Sequence, residues 1–95
     1  MITRIVKLTF AEHHVKDFLN MFDENAHLIR GFSGCKSMLL LRDKTNSNVF
    51  FTYSIWEDDS DLEMYRKSEL FGKVWGTIKQ YFIAKPEAWS CDLVG

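Results

Sequence analysis

The rhythm of hydrophobic and polar residues changes several times along the chain. In "ITRIVKLTF" (2–10), Val6, Leu8 and Phe10 alternate with Ile5, Lys7 and Thr9, the period of a strand. "HHVKDFLNMFDENAHLIRGF" (13–32) then switches period: Val15, Phe18, Leu19, Phe22, Ala26 and Ile29 form one apolar stripe at helical spacing. Gly31 stands where a helix C-terminal glycine belongs, and Gly34 follows within a turn. "CKSMLLLR" (35–42) and "VFFTYSIW" (49–56) read as two strands joined by the polar, hairpin-like "DKTNSN" (43–48). Ser60 and Glu63 have capping-box spacing and predict a helix start. That helix is short, because Ser68 reads as a second N-cap. Phe71, Val74, Trp75, Ile78 and Phe82 mark a further helical stripe. Lys85-Pro86 disfavours more helix, and "EAWSCDLV" (87–94) predicts a fourth strand.

The order is β-α-β-β-α-β, with the second helical region split in two. Right-handed crossovers fold it into an α+β, ferredoxin-like arrangement: a four-stranded antiparallel sheet with its helices on one face. With 95 residues and no linker or repeat, the whole chain (1–95) reads as one domain.

A sheet with one wet face alternates cleanly between apolar and polar residues. These strands do not. Leu39 and Leu41 oppose Met38 and Leu40, while Val49, Phe51, Tyr53 and Ile55 oppose Phe50 and Trp56. Helices cover only one of those faces, and the other would expose a large apolar patch. A second copy packed sheet to sheet is the simplest cover, so the pattern predicts a homodimer through the sheet face.

Net charge is −1, and no Lys/Arg run forms a basic stripe, which argues against nucleic-acid and anionic-membrane partners. The first residues carry charges among their apolar positions, unlike a signal peptide, and no apolar run reaches bilayer length. A cytoplasmic domain with Cys35 and Cys91 as reduced thiols is the expectation. Both cysteines read as small buried apolar residues.

The element order, "GFSGC" (31–35) and the spacing of Trp56, Leu62, Tyr65, Ser68 and Phe71 resemble the antibiotic biosynthesis monooxygenase family of dimeric α+β barrels. The resemblance covers nearly the whole chain and implies a dimeric barrel. Members of that superfamily include cofactor-free oxygenases of phenols and quinols, haem-degrading enzymes and proteins without assigned activity, so fold alone does not choose among them. The haem-degrading branch expects an asparagine near Val6, a tryptophan at Tyr65 and an iron-ligating histidine at Trp75. This sequence departs at all three positions.

The cofactor-independent reading asks for less: exclude water, orient an electron-rich ring and stabilise its anion. It implies a monooxygenase of a small aromatic phenol or quinol, with no cofactor and no metal. Substrate-binding candidates are Phe22, Tyr53, Tyr65, Trp75 and Trp89, with a pocket between sheet and helices and Phe22, Tyr65 and Trp75 on its helical wall. Catalytic candidates are Tyr65 and a histidine base, His14 among His13, His14 and His27. The same fold without catalysis, as a module binding an apolar ligand or a partner, is the alternative.

Each candidate also has an ordinary structural role. Trp75 belongs to a core-facing stripe, Tyr65 fits core and pocket equally, and His13-His14 stands at a loop position. Gly72 and Gly76, four apart, either permit a close backbone approach or leave room for a ligand. Glu24 and His27 have E-x-x-H spacing, but an incomplete ligand set and a solvent-facing position argue against a metal.

Overall fold

A computed structural model describes all residues, Met1–Gly95. Its elements are β1 (Ile2–Thr9), α1 (Val15–Arg30), β2 (Cys35–Arg42), β3 (Val49–Trp56), α2 (Asp59–Arg66), α3 (Glu69–Ile78) and β4 (Glu87–Cys91). Single 3-10 turns at Glu12–His14 and Lys79–Tyr81 precede α1 and follow α3. The sheet is antiparallel throughout, in the order β2-β3-β1-β4. This is the ferredoxin-like α+β arrangement expected from the alternating periods. No helix is long and apolar enough to cross a membrane.

Strand register decides what each face carries. On the helix side, β1 presents Arg4, Val6 and Leu8, and β3 presents Phe50, Thr52, Ser54 and Trp56. The core clusters beneath α1 and α3: Leu8, Phe10, Phe18, Phe50 and Ile78 are at most 3 % exposed. Phe10 stacks on Phe18 at 4.2 Å and on Phe82 at 5.2 Å, closing that end with aromatic rings. Asn48 fastens the β2–β3 hairpin to the end of β1, its Nδ2 donating to the Phe10 carbonyl at 2.9 Å. Trp56 closes the other end, 1 % exposed, with its indole N–H donating to Ser54 Oγ at 3.0 Å.

Four expectations need correction. The N-cap of α2 is Asp58, not Ser60: its carboxylate accepts from the Ser60 N–H and hydroxyl. A carboxylate satisfies those donors and complements the helix dipole, so the cap falls earlier within "EDDSD". The apolar stripe continues to Phe82, but α3 ends at Ile78, because Phe82 is extended and bridges Phe10. A four-residue interval reads as helix whether or not the backbone coils through it. β4 stops at Cys91, where pairing with Thr3 near the start of β1 ends, and Leu93 and Val94 are exposed. Cys91 is also exposed, while Cys35 is half-buried; both thiols are free.

Gly31 caps α1 in right-handed geometry, and the left-handed residue is Gly34, at φ 86°. The Gly34 carbonyl accepts from Glu57 N at 2.8 Å. An added Cβ would lie 2.3 Å from Asp61 Cγ, so this glycine lets α2 start tight against β2. Gly72 and Gly76 differ, since a Cβ at either meets nothing within 4 Å. Close packing inside this chain therefore does not account for them. Gly34→Ala should cost about 1–3 kcal/mol of stability through left-handed strain and the Asp61 clash. Gly72→Ala should add about 0.5–1 kcal/mol through helix propensity. Urea unfolding of both variants checks the contrast, and a neutral Gly34→Ala would contradict the tight α2–β2 junction.

Candidate functional site

Between the sheet and the three helices lies a cavity of about 360 Å³. Its cause can be read from the cross-strand rows of the sheet. Phe50 and Leu8 fill one end of the helix-side face and Trp56 fills the other. Between them Thr52 pairs with Val6, and Val6 with Ala88. These small side chains leave space that the helices above do not fill.

Fifteen of the 21 lining residues are hydrophobic, and the helical wall includes Phe22, Tyr65, Phe71 and Trp75. Phe71 and Trp75 stack nearly parallel, 9° apart with centroids at 5.7 Å. Tyr65 stacks on Trp56 at 5.1 Å and meets Phe32 edge-on at 5.4 Å, so its ring is fixed on two sides. Ser68 secures the turn beneath it, its hydroxyl donating to the Tyr65 carbonyl at 2.6 Å and accepting from Phe71 N at 3.1 Å. The break between α2 and α3 thereby aims both aromatic residues at one space.

Polar groups on this surface are few. Tyr65, Thr52 and Trp75, each carrying a side-chain donor, are among the lining residues. Buried Asn25 donates through Nδ2 to the Met21 carbonyl at 2.8 Å, leaving its own side-chain carbonyl free to accept. Burial, reinforced by the neighbouring Cys35, pushes the Tyr65 phenol up to about 12. Tyr65 is thus a donor at neutral pH, not a base. Burial likewise pushes the Cys35 thiol up, with Arg30 acting in the opposite sense. Arg4 and Arg66 are the charged lining residues, and no acid or histidine joins them.

Phe22, Tyr65 and Trp75 therefore share one cavity, and the other candidates do not. Tyr53 pairs with Ile5, which pairs with Trp89, placing all three on the opposite face of the sheet. His14 is at the start of α1, stacked on Tyr81 at 4.5 Å and bonded to Asp17 at 2.9 Å. His13 and His27 are exposed, and Glu24 is exposed with them. Arg4, Asn25 and Thr52 were not anticipated. The sequence does carry a signal for two of them. Arg4 keeps the phase of Val6, Leu8 and Phe10, and Asn25 falls between Phe22 and Ile29 on the α1 stripe.

The family model for antibiotic biosynthesis monooxygenase matches residues 1–75. The chain belongs to the antibiotic biosynthesis monooxygenase family. Solved structures agree on the fold. One antibiotic biosynthesis monooxygenase superposes with a TM-score of 0.94 at 18 % identity, covering all of both chains. A Pseudomonas aeruginosa protein superposes at 0.87 with 20 % identity, over 99 % of this chain and 94 % of its own. A conserved protein from Methanosarcina mazei Go1 gives 0.89 at 16 % identity, over 96 % of this chain and 91 % of its own. No protein of curated function matches the chain.

The raised Tyr65 pKa carries a stability consequence. From about pH 10 to about pH 12 the unfolded chain releases a phenolic proton that the folded chain retains. Stability therefore falls as pH rises through that window, by up to about 1 kcal/mol per unit, and the group contributes no slope below it. Tyr65→Phe should lose stability less steeply than the wild type over this range. Parallel slopes in alkaline denaturation titrations would contradict the burial assigned to the phenol.

Proposed function

We propose that the chain is a cofactor-independent monooxygenase that oxidises a small aromatic phenol or quinol in the cavity between sheet and helices. The observation that carries this reading is a set of donor-bearing aromatic and hydroxyl side chains, Tyr65, Thr52 and Trp75, on a cavity whose lining is mostly hydrophobic. The volume lies at the small end of the usual range for ligand pockets, about 300–1,000 Å³, which suits a compact ring system.

The chemistry requires little machinery from the protein. A phenol or its tautomeric ketone, once ionised, passes one electron to dioxygen. The resulting radical and superoxide combine into a C–O–O⁻ bond. Protonation and loss of water, using the second hydrogen of that carbon, leave a C=O group. One oxygen atom ends in the product and the other in water, and the substrate supplies both electron pairs. Oxyanion stabilisation falls to the Tyr65 O–H and its neighbouring donors, held in place by stacking and needing no reorganisation. Phe22 and Trp75 orient the ring and exclude water. With no carboxylate or imidazole lining the cavity, the first proton leaves to solvent at its mouth.

We further propose that the outer sheet face joins a second copy of the chain in a homodimer. Leu39, Leu41 and Trp89 there are 54, 46 and 44 % exposed, and they neighbour Phe51, Tyr53 and Ile55. A face of this kind rarely stays in water. In this arrangement Tyr53 and Trp89 serve the interface and not the ligand.

The missing base is the observation that favours the non-catalytic alternative, a binding module with the same cavity. Oxygen uptake with hydroquinones and anthrone-type phenols separates the two. Turnover should be measurable and should fall about 10- to 100-fold in kcat/KM for Tyr65→Phe. No uptake across the panel, with the same compounds binding, would establish the module. Light scattering should give twice the chain mass for the wild type and a monomer for Leu39→Asp. A monomeric wild type at micromolar concentration would refute the dimer.

A further inference from the structure

Two cations and no anion line the cavity, and the two cations differ. Arg66 has a counter-ion: its Nη1 donates to Glu63 Oε1 at 2.9 Å. Arg4 has none. It takes part in no ion pair, and its one side-chain hydrogen bond runs from Nη1 to the neutral Ser90 Oγ at 2.9 Å. A guanidinium has five N–H donors in a planar fork, so most of that capacity is unspent.

The position makes this harder to dismiss. Arg4 sits half-buried on the helix-side face of β1, in phase with Val6 and Leu8, where an aliphatic side chain would pack at no electrostatic cost. Burial and the nearby Arg66 both pull its pKa below the ordinary arginine value, with Glu63 acting in the opposite sense. It remains a cation at neutral pH. The chain has 13 acidic residues and uses three of them in contact pairs with Lys7, Lys36 and Arg66, yet the acid nearest in effect to Arg4, Glu63, is paired with Arg66 and makes no ion pair with Arg4.

We infer that the cavity takes an aromatic ring bearing a carboxylate, with the carboxylate on the Arg4 guanidinium and the ring against Phe22, Tyr65 and Trp75. This rests on the proposed aromatic site and narrows its substrate class to hydroxyaryl acids. A planar fork meets a carboxylate through two parallel hydrogen bonds. One uncompensated positive charge matches one carboxylate. A phosphate dianion would call for more, and α2 approaches the site with Arg66 in its last turn, the end whose dipole disfavours anions. The aromatic walls and the volume account for the rest of the ligand.

The test compares 1-hydroxy-2-naphthoate, its carboxamide and 1-naphthol by calorimetry at neutral pH. Wild-type protein should bind the acid roughly 10- to 100-fold tighter than the amide, as a charge-assisted pair warrants. Added salt should weaken the acid more than 1-naphthol. Arg4→Met should lose that preference with little change for 1-naphthol, and Arg4→Lys should retain part of it. The wild-type ratio needs no variant, so a misfolded Arg4→Met leaves the question decidable. Equal binding of acid and amide, with 1-naphthol still bound, overturns the carboxylate assignment and leaves the aromatic site standing. Failure of all three ligands to bind overturns both.

Discussion

A four-stranded sheet has two faces, and this chain supplies helices for only one of them. Everything else follows from how the period-two alternation divides side chains between those faces. On the helix side, large aromatic residues occupy both ends and small ones the middle, so closing the core at its ends leaves it open at Thr52, Val6 and Ala88. On the other side, the row Leu39–Tyr53–Ile5–Trp89 has no cover within the chain. The cavity and the exposed face are thus consequences of one pattern. Shifting β1 by one residue would carry Arg4 outward and Ile5 inward, and shifting β3 would do the same to Thr52 and Tyr53.

That dependence on phase also explains what could be read from residues alone. β2 and β3 are legible to the residue because turn chemistry bounds them on both sides. Asp43 accepts from Thr45 N and Asn46 N inside the hairpin, where a polar run had marked the connection. The phase of β3 already separated Tyr53 from Phe50 and Trp56, so placing it in a pocket with Tyr65 ignored information in hand. Trp89 is a different case. Its face depends on its register against β1, a tertiary relation that no local pattern fixes. Helical spacing shows that Tyr65 and Trp75 face the sheet, but not how far above it they stand, which is why core and pocket were indistinguishable. His14 does not line the cavity, and its bond to Asp17 and stacking on Tyr81 hold it at the start of α1.

The more useful signal was the exception within each stripe. A charge in the phase of Val6, Leu8 and Phe10, and an amide between Phe22 and Ile29, both disturb a regular apolar surface. Residues that break a folding pattern at a buried position cost stability unless something compensates them. Asn25 is compensated in part by the Met21 carbonyl. Arg4, half-buried, has one serine hydroxyl and the influence of Glu63, but no ion pair of its own.

The family match and the cavity overlap unevenly, and the mismatch is informative about how such a fold diversifies. Residues 1–75 contain the aromatic wall, the donor-bearing Tyr65, Thr52 and Trp75, and Arg4 itself. Pro86, Ala88 and Ser90 lie beyond them, on or next to an edge strand held by a single neighbour, β1. Structures at 16 to 20 % identity nonetheless superpose over 96 to 100 % of this chain, so the fold tolerates replacement of most side chains. In this chain the backbone is fixed by alternation, the N-caps Asp58 and Ser68 and the left-handed Gly34. The small middle row, Thr52, Val6 and Ala88, takes no part in those caps or that glycine. Ser90, on an edge strand with a single neighbour, can change its contact with Arg4 without repacking the aromatic ends of the core.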